Sequence, residues 1–229
     1  NIALQGIGWR LGDSAELNTP ANQILREKIS MTDNTDSRTI GTQNRDVLER
    51  YIQALPSAVQ RSVLNQLQSD YESAVAPTPP KKGDTAPEFE LRDTNGSMHR
   101  LSQYDSPLVL SFFRGGWCDY CTTALTALQR RYPAIKAYSG EILAISPDTP
   151  EENLRTAKRY RLEFPILSEE NNLAADLSGL RSNIAPILAP IYASHNIDCP
   201  EDCDRLDVPY PATFILQSNK LVDATFIER

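Results

Sequence analysis

The chain has 229 residues, of which 40% are hydrophobic and 23% are charged, and its net charge is -7. This composition is ordinary for a folded protein and excludes disorder throughout. The negative charge and the lack of a Lys/Arg-rich run argue against a nucleic-acid partner. No apolar stretch approaches the roughly 18 residues of a membrane-spanning helix, and no signal-peptide pattern opens the chain. We expect a soluble protein with no membrane partner, and a cytoplasmic location is slightly favoured.

The first third of the chain shows helical periodicity only after a polar beginning. Residues 1–43 are rich in Asn, Thr, Ser and Asp and specify little structure. Apolar side chains then recur at helical spacing over Asp46–Leu55 and Ser57–Ala74, with Pro56 between the two predicted helices. Packing or dimerisation is the expected role of this helical hairpin, so a homodimer is one expected assembly.

A proline-rich segment follows the predicted helices. It contains three prolines in eight residues, which favours an extended connector over helix or sheet. The excess of acidic residues lies entirely after this segment. We therefore predict an N-terminal, mainly helical segment over residues 1–74, a linker over 75–82 and a second domain over 83–229.

Short apolar runs alternate with amphipathic helices after the linker. The adjacent Asn95 and Gly96 predict a hairpin turn, because both residue types accept positive φ. The pattern predicts two helices and seven strands: Cys121–Ala137 and Pro150–Tyr160, then Glu88–Arg92, Met98–Leu101, Leu108–Phe113, Glu141–Ser146, Phe164–Leu167, Ala212–Leu216 and Leu221–Ile227. Alternating strands and helices that close in a hairpin predict an α/β sandwich with a mixed central sheet.

Two cysteines separated by two residues lie where a buried strand gives way to a helix. Cys118 would occupy the helix N-terminus, where backbone N–H groups and the macrodipole stabilise a thiolate. Such positions lower a cysteine pKa from about 8.5 to roughly 3.5–7.5. Cys121, one helical turn later, can attack a mixed disulfide formed at Cys118 and release the partner as a thiol. We predict that Cys118 is the nucleophile and Cys121 the resolving cysteine.

A second pair, Cys199 and Cys203, lies in the most acidic stretch of the chain. Carboxylates raise thiol pKa and slow nucleophilic attack, so a structural disulfide is favoured over a second redox pair or a metal site. All four cysteines together leave a zinc site as an alternative, and inert burial of Cys118 and Cys121 is another. Zinc knuckles rarely lie at a strand–helix junction, so redox chemistry is favoured and no metal is predicted.

Four motifs in this order resemble the peroxiredoxin-like branch of the alkyl hydroperoxide reductase/thiol-specific antioxidant (redoxin) family. They are Phe113–Cys121, Ala144–Pro150, Phe164–Ser168 and Pro211–Phe214. The likeness covers residues 83–229 and implies a thioredoxin-like sandwich with the active cysteines at the start of its first long helix.

The same resemblance identifies departures that bear on activity. Peroxiredoxins carry a proline and a Thr or Ser before the peroxidatic cysteine, where this chain has Ser111 and Gly115. They also carry an arginine where this chain has Pro211, and Arg114 is the candidate replacement. Relatives usually have proline where this chain has Asp119, whose carboxylate should raise the pKa of the neighbouring thiol. Dithiol exchange is thus more strongly indicated than peroxidase activity.

The thioredoxin-like resemblance also implies a role for Tyr210 and Pro211. In that fold a cis-proline precedes the corresponding strand and lies against the active-site sulfurs, which leaves the preceding carbonyl for a substrate backbone. The two residues are therefore a candidate docking site. Trp117 and Tyr120 would shield the sulfurs.

These inferences combine into a thiol-dependent redox enzyme that takes a hydroperoxide or a disulfide as substrate. Attack on a hydroperoxide would leave a sulfenic acid, which the second cysteine condenses to a disulfide. An external thiol reductant, such as a thioredoxin or glutathione system, would restore the dithiol, and no cofactor is implied. The alternative is a non-catalytic thioredoxin-fold binding module, which a high thiol pKa would favour.

Overall fold

The computed structural model describes residues 46, 49–73, 77–169, 171–184 and 206–227. The predictions for residues 1–45 and for Cys199 and Cys203 lie outside the described residues. Residues 49–54 are helical and are followed by a break at Pro56, as the sequence predicts.

Helices and strands alternate through the rest of the described chain. The helices are α1 (Ser57–Ser73), α2 (Asp119–Ala137), α3 (Pro150–Tyr160) and α4 (Leu173–Leu177). The strands are β1 (Glu90–Asp93), β2 (Met98–Arg100), β3 (Leu108–Phe112), β4 (Glu141–Ser146), β5 (Ile166–Ser168), β6 (Arg181–Ile184), β7 (Leu206–Pro209), β8 (Ala212–Leu216) and β9 (Val222–Ile227). No helix in these ranges has the length and apolar character needed to cross a bilayer.

A seven-stranded sheet in the order β2-β1-β5-β4-β3-β8-β9 forms the centre of the fold. Strands β3, β4 and β5 are parallel, whereas β8 and β9 on one side and β1 and β2 on the other pair antiparallel. The predicted mixed sheet is therefore confirmed. Strands β6 and β7 form a separate antiparallel pair, which the sequence analysis missed together with α4.

Strand β3 lies between two hydrophobic clusters. All five of its residues are buried, as expected for a central strand covered on both faces. Leu108, Leu110 and Phe112 belong to one cluster, and Val109 belongs to the other, which also contains Leu125 of α2. The alternation along β3 thus determines which face of the sheet α2 covers. Because α2 is the next element after β3 in the chain, it starts near the end of this strand.

The segment predicted as a linker makes backbone contacts with the sheet domain. The Thr78 N–H donates to the Gly179 carbonyl at 3.2 Å, and the Thr225 hydroxyl donates to the Pro80 carbonyl at 3.0 Å. Its described residues, 77–82, therefore run along the domain. The domain limits themselves stay a prediction.

Candidate active site

Cys118 is the N-cap residue of α2, so the helix begins two residues earlier than the predicted start at Cys121. The backbone of Cys118 is extended, with φ -86° and ψ 106°, and its carbonyl accepts the Thr122 N–H at 2.9 Å. The helix starts at Asp119 because this carbonyl already accepts an intrahelical bond. The positive end of the α2 dipole therefore lies at Cys118.

The Cys118 and Cys121 sulfurs are in contact, and no disulfide joins them. The Cys121 thiol donates to the Cys118 sulfur at 2.9 Å. Burial is the largest cause that raises the pKa of Cys121 well above its ordinary value, followed by the bond to Cys118 and its charge. The charge and the N–H of Arg114, which lies 3.4 Å from the Cys121 sulfur, act in the opposite direction. Cys121 thus keeps its proton while Cys118 accepts it as a hydrogen bond.

Two glycines before Cys118 allow the active-site loop to pack closely. Gly115 has φ 151°, and a Cβ there would lie 2.2 Å from the Trp117 indole nitrogen. A Cβ on Gly116 would lie 1.8 Å from the Thr156 hydroxyl oxygen on α3. Neither distance is compatible with a side chain. Gly115 therefore lets the backbone lie against the Trp117 side chain, and Gly116 lets it lie against α3.

Asp148, in the loop between β4 and α3, binds this active-site loop. Its Oδ2 accepts the Gly116 N–H at 2.8 Å, and its carboxylate also accepts a bond from the Trp117 side chain. Burial is the main cause that raises the pKa of Asp148 from 3.8 to about 6. In the sequence, Asp148 stands out only as part of the family motif Ala144–Pro150, because nothing local to the residue indicates which loop it contacts.

A buried amide fixes the backbone of Asp148. Asn153 is 0% exposed, and its Nδ2 donates to the Asp148 carbonyl at 3.1 Å and to the Ser168 hydroxyl at 2.9 Å. The Ser146 hydroxyl donates to Asn153 Oδ1 at 3.0 Å and accepts the Asp148 N–H at 3.1 Å. Both backbone polar groups of Asp148 are therefore held by buried side chains.

Tyr51 extends the site to the N-terminal part of the chain. Its hydroxyl donates to Asp119 Oδ2 at 2.8 Å, beside Cys118. Burial, the bond to Asp119 and its charge, and the charge of Cys118 raise the pKa of Tyr51 well above its usual range, so the phenol stays protonated. Sequence reasoning assigned no chemistry to this region. The partners are 68 residues apart, so no local pattern could have found the contact.

The remaining predicted site residues divide between two environments. Trp117 and Tyr120 pack against the cluster that contains both cysteines. Pro211 lines a cavity of about 20 Å³ beside Cys121, together with Ser111 and Thr213, whose hydroxyl oxygens are 3.4 Å apart. This volume is enough for about one water molecule. Tyr210 packs against the other core cluster, on the opposite face from the cysteines.

The expectation of a cis peptide bond before Pro211, which the resemblance implied, is wrong. Every peptide bond among the described residues is trans, including the bond between Tyr210 and Pro211. The trans form is favoured at X–Pro bonds by about 0.5–1 kcal/mol. Here the Tyr210 N–H donates to the Leu180 carbonyl at 2.7 Å, which ties this dipeptide to the turn before β6.

The described residues contain no group of three or more His, Cys, Asp or Glu side chains placed to hold a metal ion. Two ligands of the alternative zinc site, Cys199 and Cys203, lie outside these residues. The four-cysteine site therefore stays a hypothesis.

A model of the AhpC/TSA family, the family named above, matches residues 82–225. The chain belongs to this family. Thiol-disulfide oxidoreductase ResA of Geobacillus thermodenitrificans is 33% identical to this AhpC/TSA chain over 99 residues, which cover 43% of this chain and 57% of ResA. The chloroplastic peroxiredoxin Q of Populus jackii is 35% identical over 92 residues, which cover 40% of this chain and 43% of that protein. The chain spans about half the length of the curated relatives it matches.

Solved structures share the fold of this AhpC/TSA chain. Peroxidoxin BcpB of Mycobacterium tuberculosis superimposes with a TM-score of 0.53 and 22% identity, covering 65% of this chain and 86% of that chain. A cysteine-to-serine variant of peroxiredoxin 6 from Arenicola marina gives a TM-score of 0.51 and 17% identity, covering 63% of each chain. The predicted thioredoxin-like sandwich is therefore confirmed.

Proposed function

We propose that this AhpC/TSA protein is a thiol-dependent oxidoreductase in which Cys118 attacks the substrate and Cys121 resolves the product. The observation that carries the proposal is the bond of the Cys121 thiol to the Cys118 sulfur, at 2.9 Å, where α2 begins. A donated hydrogen bond and the helix dipole both stabilise a thiolate at Cys118. Burial keeps Cys121 protonated until Cys118 has reacted.

A hydroperoxide is the substrate that the burial of the sulfurs favours. Cys118 is 4% exposed and Cys121 is 1% exposed, so a small molecule reaches them more readily than the disulfide of a folded protein. The Cys118 thiolate attacks the terminal peroxide oxygen, the O–O bond breaks, and the sulfur becomes a sulfenic acid. The leaving alkoxide takes a proton and departs as an alcohol.

The cycle closes through the second cysteine and an external reductant. The Cys121 sulfur attacks the sulfenic sulfur of Cys118, which forms the disulfide and releases water. An external thiol reductant, of the thioredoxin or glutathione kind, then supplies two electrons and two protons by thiol–disulfide exchange. No bound cofactor takes part in these steps.

Thiol–disulfide exchange is the second candidate function. It is supported by the contact of the two cysteines and by the 33% identity with a thiol-disulfide oxidoreductase over 99 residues. In this reaction the Cys118 thiolate attacks one sulfur of the substrate disulfide, whose S–S bond breaks. The other sulfur leaves as the first substrate thiol, and Cys118 is left in a mixed disulfide. Cys121 then attacks Cys118 and releases the second substrate thiol.

Stopped-flow fluorescence of Trp117 tests both candidates. The chain has two tryptophans, so Trp9→Phe leaves Trp117 as the only reporter. We expect a fast phase when the reduced protein meets hydrogen peroxide, its loss in Cys118→Ser, and its retention in Cys121→Ser with a dimedone-reactive sulfenic acid. A fast phase only with an oxidised dithiol would select the second candidate. No reaction with either would favour the binding module.

A further inference from the structure

One backbone hydrogen bond closes the turn that carries Cys118, and one carboxylate binds the two central residues of that turn. The Cys118 N–H donates to the Gly115 carbonyl at 3.2 Å, which closes a four-residue turn. Asp148 Oδ2 accepts the N–H of Gly116, at 2.8 Å, and the carboxylate accepts a bond from the Trp117 side chain. Both central residues of the turn are therefore bound by a side chain from a different loop.

We propose that Asp148 is a positioning residue for Cys118: its carboxylate holds Gly116 and Trp117 and so fixes the turn that places Cys118 at the start of α2. Asp148 does not touch the reacting atoms and acts through the turn. The inference deepens the proposed redox function, and only its kinetic consequence rests on that function.

Asp148 is itself held too firmly to adjust when the turn moves. Asn153 and Ser146 bind its carbonyl and its N–H, and Asn153 is fully buried. The position of Asp148 is thus set by β4 and α3, through Ser146 and Asn153. A side chain anchored in this way can determine the geometry of the loop that it binds.

The ionised state of Asp148 is the state suited to this role. A carboxylate accepts at both oxygens, whereas the protonated acid turns one oxygen into a donor. Burial is the main cause that raises the pKa of Asp148 to about 6, and the charge of Glu152 on α3 contributes to this rise. The bonds from Gly116 and Trp117 favour the charged form. We therefore expect the turn to be held above pH 6 and to loosen below it.

A fluorescence titration of Trp117 in the Trp9→Phe protein tests the contact directly. We expect a transition near pH 6, because protonation of Asp148 changes the partner of the indole. The transition should disappear in Asp148→Asn. Glu151→Gln is the matched control, since Glu151 is an exposed carboxylate on the same loop–helix junction, and this variant should keep the transition. A transition that survives in Asp148→Asn would overturn the proposal.

Alkylation of Cys118 by iodoacetamide, followed on the Cys118 peptide by mass spectrometry, tests the consequence for reactivity. In the wild type we expect the alkylation rate to show an inflection near pH 6, where Asp148 titrates. Asp148→Asn should react about tenfold more slowly at pH 7.5 and should lack this inflection. An unchanged rate and profile would contradict the positioning role. Neither measurement needs a substrate or a reductant, so a protein that fails the redox test can still pass this one.

A second variant keeps the test decisive if Asp148→Asn does not fold. Trp117→Phe removes one hydrogen bond to the charged form of Asp148 and leaves the carboxylate in place. We expect the inflection in the alkylation profile to move above pH 6, because the charged form has lost a donor. An inflection that stays in place would show that the carboxylate does not act through this residue.

Discussion

Helices α2 and α3 follow the neighbouring parallel strands β3 and β4, but their first turns differ. Helix α3 begins with a capping box, in which the Thr149 hydroxyl accepts the Glu152 N–H at 3.3 Å and Glu152 accepts the Thr149 N–H at 2.9 Å. Helix α2 has Cys118 as its N-cap residue, and the Cys118 side chain makes no capping bond. At one helix the N-cap side chain stabilises the fold, whereas at the other a sulfur occupies that place.

The difference shows that the loop before α3 contributes a stabilising cap, whereas the loop before α2 carries the proposed nucleophile instead. A side-chain cap contributes about 1 kcal/mol of stability, which the start of α2 does not receive. The loop before α3 is firmly held and in turn holds the loop before α2 through Asp148. The loop that carries Cys118 is therefore bound by its neighbour, which we propose fixes its shape.

The largest expected effect comes from making the start of α2 resemble that of α3. Cys118→Ser introduces a hydroxyl that can cap the helix and removes the nucleophile. We expect complete loss of redox turnover and a free energy of unfolding higher by about 1 kcal/mol. Peroxide consumption and urea denaturation measure the two effects. A loss of more than about 1 kcal/mol would show that the sulfur itself stabilises this turn.

The next effect concerns the pH dependence of stability. Folding raises the pKa of Asp148 from 3.8 to about 6, so the folded state holds this proton more tightly than the unfolded chain. Stability from the protonated acid is present below pH 4 and is lost as pH rises to 6. The loss is about 3 kcal/mol, at roughly 1.4 kcal/mol per pKa unit. Urea denaturation at several pH values should show that the free energy of unfolding of the wild type, relative to that of Asp148→Asn, falls by this amount between pH 4 and 6.

A smaller effect follows from removing the cap of α3. Thr149→Ala abolishes the capping box and should lower the free energy of unfolding by about 1 kcal/mol. Thr149→Ser is the control, because it keeps the hydroxyl and should remain near the wild type. Since Thr149 adjoins Asp148, the alanine variant should also slow Cys118 alkylation two- to threefold. An unchanged alkylation rate would show that the α3 cap does not affect the loop that carries Cys118.

The smallest effect tests the contact between Tyr51 and Asp119. Tyr51→Phe removes the hydrogen bond that the Tyr51 hydroxyl donates to the Asp119 carboxylate. The negative charge of Asp119, beside Cys118, is then no longer partly neutralised by that donor. We expect the pKa of the Cys118 thiol to rise and its alkylation at pH 7 to slow about two- to threefold. In an Asp119→Asn background the same change should have no effect, because the carboxylate is already gone. Equal slowing in both backgrounds would contradict the electrostatic explanation.

Local patterns determined much of the fold and the centre of the site. The apolar run of β3, the helical spacing in α2 and the two intervening residues between Cys118 and Cys121 are all readable in short windows. The bounds of β4, α3 and β8 agree with the prediction residue for residue. This agreement arises because periodicity, capping residues and prolines act within a few residues of one another.

Only the tertiary structure decided which residues surround the cysteines. Asp148 meets Gly116 across 32 positions and Tyr51 meets Asp119 across 68, because folding places β4 beside β3 and the N-terminal residues beside α2. The raised pKa of Asp148 is also a tertiary property, since it comes from burial. The sequence by itself indicated the cysteine pair that we propose is reactive. The packing of distant segments determined which groups lie around this pair and how burial shifts their pKa values.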